Sequence, residues 1–154
     1  MLILLLSLAC GPRPCDVGDL ASGSLLATVD GLSWSATGAS WSESGDGVQI
    51  ITADEGGWRL TLVAQLTADG EAVLGALEDG KEVEVPMGSG SFAALYPSGE
   101  SISYAAKEAE DGQVRLRREG DELQACFEFT ATAADESIAT LDGGTLRAAC
   151  VGCP

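Results

Sequence analysis

The strongest constraint on this chain is a two-residue period of apolar side chains, broken at regular intervals by acid-glycine turns. Residues 58–66, WRLTLVAQL, place Trp58, Leu60, Leu62, Ala64 and Leu66 on one face and Arg59, Thr61 and Gln65 on the other. QVRLRRE alternates Val114 and Leu116 with Arg115 and Arg117, and LQACFEFTATA alternates in the same way around Phe127 and Phe129. Successive side chains of an extended strand point to opposite faces, so these runs are half-buried strands. Between the runs stand Asp30-Gly31, Gly45-Asp46-Gly47, Glu55-Gly56-Gly57, Asp69-Gly70, Asp79-Gly80, Asp111-Gly112, Glu119-Gly120 and Asp142-Gly143-Gly144. Such pairs adopt the positive φ that tight hairpins require. The pattern predicts strands near 24–29, 32–36, 39–43, 47–53, 58–66, 71–76, 82–86, 91–96, 101–106, 113–118, 121–132, 137–141 and 144–150, some of which must merge or be loop. A helix has room only at Ala105 to Asp111. The expected class is all-β, an antiparallel β-sandwich or partly open β-barrel with a meander of Asp-Gly hairpins, because closure removes exposed edges.

The first nine residues are of another kind. Leu2, Ile3, Leu4, Leu5, Leu6 and Leu8 form an aliphatic run that ends in Ala9, directly before Cys10. The run is too short to span a bilayer, which takes about 20 apolar residues, and has the form of a secretory signal meeting a small-residue cleavage point. Leu-Ser-Leu-Ala-Cys-Gly, residues 6–11, resembles the lipobox of bacterial lipoproteins. That resemblance implies cleavage before Cys10, a diacylglyceryl group on its thiol and an acylated new terminus. Gly11 in place of Asp implies the outer membrane where the cell has one. The expected organisation is a signal peptide at 1–9, a lipid-anchored tether at 10–23 that carries Pro and Gly without periodicity, and one β domain at 24–154.

Five cysteines, Cys10, Cys15, Cys126, Cys150 and Cys153, are an odd number. Lipidation of Cys10 accounts for the odd one and leaves four for disulfides in an oxidising compartment. Three connectivities are open to four cysteines. Cys126 with Cys150 and Cys15 with Cys153 is the favoured pairing, since the first two lie on neighbouring segments and the second two tie the chain ends. Against it, alternation with Leu123, Ala125, Phe127 and Phe129 inward turns Cys126 outward, while Leu146 and Ala148 put Cys150 inward. CVGCP at 150–154 also has the form of a redox Cys-x-x-Cys, but the motif's first thiolate is commonly stabilised by a following helix, for which no sequence follows here. A zinc site of Cys10, Cys15, Cys150 and Cys153 would lose one ligand to the lipid. Structural staples are the expected use.

Twenty-four acidic against 8 basic residues give a formal net charge of −16. That disfavours nucleic acid and anionic membrane surfaces as partners, since these attract basic patches, so the expected membrane link is the lipid. No histidine occurs, which removes Ser-His-Asp and Cys-His catalysis and His-ligated metals. Glu108 with Glu110, or Asp135 with Glu136, could serve as an acid-base pair, but a solvated acidic surface explains both. GSGSF at 88–92 lacks the lysine and the helix of a phosphate loop and is expected to be a hairpin turn. ESGDG at 43–47 and DEGG at 54–57 cluster oxygen ligands without the spacing of an EF-hand, so no metal or other cofactor is expected. Among the tryptophans, Trp34 and Trp58 read as core, and Trp41, flanked by Ser40 and Ser42, as the exposed one that a ligand would meet.

ATVDGLSWSA at 27–36 and CFEFTATA followed by GGTLRAA resemble an uncharacterised family of all-β domains in bacterial lipoproteins. Members open with an apolar-x-Val-Asp-Gly-x-x-Trp strand pair and close with Phe-x-Phe-Thr-Ala before a glycine-containing strand. The resemblance spans residues 24–149 and implies a fold, with no activity attached. The expected protein is a non-enzymatic, lipid-anchored β domain of the bacterial cell envelope, facing periplasm or exterior, with a protein or glycan partner that the sequence leaves open. The alternatives are a carbohydrate-binding module using Trp41 and a two-carboxylate hydrolase.

Overall fold

The computed structural model describes residues 15–44, 47–66 and 77–152. Their elements are β1 (Leu25–Val29), β2 (Leu32–Ala36), β3 (Ser40–Ser44), β4 (Gly47–Ile51), β5 (Trp58–Gln65), β6 (Glu82–Pro86), β7 (Phe92–Pro97), β8 (Tyr104–Ala106), a 3-10 turn (Ala109–Asp111), β9 (Gly112–Glu119), β10 (Glu122–Thr132) and β11 (Ile138–Cys150). The chain is all-β, with the strands in a ring compatible with a sandwich or an open barrel. The expected strand at 71–76 lies outside the described residues. Where a helix had room, only the 3-10 turn forms, closed by Asp111 Oδ2 accepting from the N–H groups of Lys107 and Glu108, both at 3.0 Å.

The turns form as the acid-glycine pairs require. Asp30 and Gly31 take φ of 49° and 82° and join β1 to β2 through a two-residue loop with Val29 opposite Leu32. Both positive values belong to a type I′ turn, whose twist matches that of its strands. Gly56 and Gly57, with Glu55 bridged to Trp58, do the same between β4 and β5. GSGSF makes the tight turn between β6 and β7, in which Gly88 and Ser91 exchange both main-chain hydrogen bonds.

Asp142-Gly143-Gly144 departs from the pattern. It was expected to separate two strands, and instead it sits inside β11, which runs unbroken for 13 residues. Both halves pair with β10, so the triplet cannot be a hairpin; it is a bulge, with the register slipping between Phe127 and Phe129. Gly143 takes φ 58°, and a Cβ on Gly144 would lie 2.3 Å from the Phe127 ring. The two glycines thus bend the longest strand and admit an aromatic ring against its backbone.

Bent β10 and β11 form the spine of the molecule. One layer is β2-β1-β11-β10-β9-β6, antiparallel throughout, and the other is β3-β4-β5-β7-β8. The layers meet at two seams on opposite ends of the hairpin. At one, Ala149 and Cys150 of β11 pair with Ser40 and Trp41 of β3. This pair is parallel, where a purely antiparallel sheet was expected. The reason is geometric: β2 runs parallel to β11 because β1 is antiparallel to both, and β3 continues in the direction of β2. At the other seam β8 touches β10 through the single pair Ala105 and Thr132. Between the layers, inward residues of every strand form one core that includes Leu25, Trp34, Trp41, Ile50, Leu62 and Phe129.

The segment expected to be tether is partly domain. Cys15 and Val17 are buried together with Cys126 on the outer face of the spine, and Arg147 holds the segment by a guanidinium bond to the Gly18 carbonyl. Gly23 N–H donates to the Arg147 carbonyl, extending the pairing of β1. Among the described residues, folded structure therefore includes Cys15 to Gly23, ahead of the expected start at residue 24.

Candidate functional site

Cys126 faces outward, as the alternation of Leu123, Ala125, Phe127 and Phe129 requires, and there it bonds to Cys15 with a Cα–Cα distance of 5.5 Å. The expected pairing of Cys126 with Cys150 is thus corrected. Cys126 lies opposite Thr145 on β11, five residues short of Cys150. That offset is roughly 16 Å along a strand, well beyond the 7 Å limit of a disulfide. The pairing of Cys15 with Cys153 falls with it. Cys150 is itself disulfide-bonded, which agrees with its expected use as a staple. Cys10 and Cys153 lie outside the described residues.

Trp41 is the second correction. It is 2% exposed, packs in the core and donates its indole N–H to the Asp121 carbonyl at 3.0 Å. Its serine neighbours, read as a sign of exposure, mean the opposite in a strand: residues on either side of an inward side chain point outward. Trp34 is core as expected, its indole N–H bonded to the Glu55 carbonyl at 2.8 Å. Trp58 is half-buried and meets Tyr104 edge-on, with ring centroids 6.2 Å apart.

Glu55, one of the oxygen ligands considered for calcium, has a structural task. Its carboxylate accepts from the Thr37 N–H at 2.8 Å and the Thr37 hydroxyl at 2.6 Å, which holds its pKa below the ordinary value. Among the described residues no group of three or more cysteine, aspartate or glutamate side chains is placed to hold a metal ion.

The acidic pairs come together unexpectedly. Glu108 and Asp135, one from each pair, line a single open groove of about 1020 Å³ outside the second seam. Glu100 and Asp111 also line it, with Lys107 the one cation among the described residues there, over a surface that includes Ile102, Ala105 and Ala133. Asp135 accepts from the Ser137 hydroxyl and N–H, and these bonds lower its pKa. A general acid needs a raised pKa, so the carboxylates whose proton affinity shifts, Glu55 and Asp135, move in the wrong direction for that role. Sequence reasoning missed the groove because its residues come from Glu100–Asp111 and Thr132–Asp135, which only the fold brings together. The available signal was the polar start of the strand expected at 101–106, of which only Tyr104–Ala106 pairs.

The fold is all-β, with an open, acid-lined groove beside its second seam. No family model, curated protein or solved structure matches the chain.

Proposed function

We propose that this protein is a non-enzymatic β domain held at the bacterial cell envelope by a lipid on Cys10, acting through surface binding. The observation that carries this reading is the Cys15–Cys126 disulfide, five residues beyond Cys10. A disulfide buried on the sheet belongs to an oxidising, exported compartment. Its position also gives the anchor a mechanical sense. Five residues reach at most about 17 Å, so a lipid on Cys10 holds the domain against the membrane with little freedom to swing. No helix among the described residues is long and apolar enough to cross a membrane, and a lipid would supply the attachment.

The absence of histidine supports the non-enzymatic part, since it removes Ser-His-Asp and Cys-His catalysis. The carbohydrate-binding alternative is not taken up, because Trp41, on which it stood, is buried. Mass spectrometry of the membrane fraction is the test. A diacylglyceryl-modified Cys10 at the mature terminus, and release into the soluble fraction by Cys10→Ala, are expected; an unmodified terminus elsewhere sinks the proposal.

A further inference from the structure

Residues 15–22 lie across the outer face of the spine as a strap, and little besides the disulfide fastens them. Cys15 and Val17 form with Cys126 a small cluster apart from the main core, to which no described residue before Leu25 contributes. Two hydrogen bonds tie the strap to the sheet: Cys15 N–H donates to Glu82 Oε1 at 2.6 Å, and the Arg147 guanidinium to the Gly18 carbonyl at 3.2 Å. Its other bonds are local turns, Gly18 N–H to Asp16 Oδ1 and Leu20 N–H to the Val17 carbonyl. Open space flanks it on both sides. A depression of about 300 Å³ lies beside Cys126, and a groove of about 470 Å³ separates Val17 and Leu20 from Leu26 of β1. Pairing starts at Gly23, whose N–H donates to the Arg147 carbonyl and whose carbonyl accepts from the Ala39 N–H. The strap can therefore leave the sheet as far as residue 22 without breaking a strand pair or opening the core.

We infer that Cys15–Cys126 is a redox latch: reduction by a dithiol releases the strap while the β domain stays folded. Cys126 offers the sulfur nearer to solvent, since it borders the depression and is 8% exposed against 2% for Cys15. A thiolate of the dithiol attacks Cys126 Sγ, the S–S bond breaks, and Cys15 departs as a thiolate that takes up a proton. The second thiol, losing its own proton, then attacks the dithiol's sulfur in the mixed disulfide and expels Cys126, which is protonated in turn. Two electrons pass, so the dithiol ends as a disulfide and both cysteines as thiols. Two hydrogen bonds and one buried valine do not offset the chain entropy of eight ordered residues, so the freed strap leaves the sheet.

The consequence for an anchored protein rests on the reading of Cys10 as the lipid site. With the latch closed, five residues join Cys10 to the domain and reach at most about 17 Å. With it open, the folded chain starts at Gly23, thirteen residues from Cys10, and the reach grows to about 45 Å. Reduction then turns a domain held against the membrane into one on a long leash, with no change in its fold.

The test titrates the full chain in detergent with dithiothreitol and follows hydrogen exchange together with alkylation of each cysteine. As Cys15 and Cys126 become open to alkylation, protection of residues 16–22 should fall at least about tenfold, while β1, β10 and β11 keep theirs. Cys15→Ser with Cys126→Ser, which leaves the bond of Cys150 in place, should show the same release without reductant. Protection kept at 16–22 after reduction would overturn the inference. So would a pair that the dithiol opens only as β10 and β11 lose protection too. For the leash, the acylated protein is placed on phosphatidylcholine vesicles, and energy transfer from its tryptophans to a bilayer dye should fall on reduction. Strap release without that fall leaves the latch standing and removes the anchor reading.

Discussion

The two seams join the same two layers at opposite ends of one hairpin, and they are built on opposite principles. At the β3–β11 seam the fold is closed and dry: Trp41 fills the junction, Ala149 N–H donates to the Ala39 carbonyl and Val151 N–H to the Trp41 carbonyl. At the β8–β10 seam one residue pair stands alone, and the groove beside it is open and acidic. A ring of strands needs continuous pairing on only part of its circumference once a core fills it. The closed seam can therefore carry stability while the open one contributes little pairing.

The sharpest way to break this contrast is Trp41→Ala. A large aromatic removed from a packed junction leaves a cavity and orphans the Asp121 carbonyl, so a loss of roughly 3–5 kcal/mol is expected in denaturant unfolding. A loss below about 1 kcal/mol would mean that the seam is not closed by this residue. Next comes the paired substitution Cys15→Ser with Cys126→Ser, which frees a loop closed across 111 residues. Loss of a native disulfide of this kind costs roughly 2–5 kcal/mol, and proteolysis should then cut within residues 15–24. An uncut segment would show that Val17 and Arg147 suffice to hold it.

Acid should weaken two tethers of the fold, because each rests on a carboxylate with a lowered pKa. Glu55 is held down by Thr37 near the closed seam and Asp135 by Ser137 at the open one. A pKa depressed on folding gives stability that is present above the unfolded-state value and lost as pH falls through the folded-state value. Stability should therefore decline below about pH 4. Glu55→Gln should flatten that decline, and an unchanged acid profile in this variant would remove Glu55 from the account. The smallest effect is expected at the groove: Ile102→Thr should change stability by less than about 0.5 kcal/mol, since Ile102 supports no pairing. A large loss in thermal melting would show that the open seam carries fold stability after all.

Much of the fold is legible in the amino-acid sequence. Alternation locates β1, β2, β5, β9 and β10 to within a residue or two, and Asp30-Gly31 and Glu55-Gly56-Gly57 mark true two-residue turns. These features are local, set by which side chains share a face and which residues tolerate positive φ. The same alternation correctly turns Cys126 outward, and the disulfide favoured from the sequence was the one it spoke against. Applied to Ser40 and Ser42, that rule would also have put Trp41 inside.

What the chain by itself determined is the list of strands, their buried faces and most of their turns, because each depends on neighbours a few residues apart. Which strands meet was decided only in three dimensions. Asp142-Gly143-Gly144 has the composition of a turn, but with β10 running past both of its sides it becomes a bulge. The parallel seam, the Cys15–Cys126 staple and the groove beside Thr132 each join residues far apart in the chain. Their partners are chosen by the closure of the ring around one core, a condition that no short window of sequence contains.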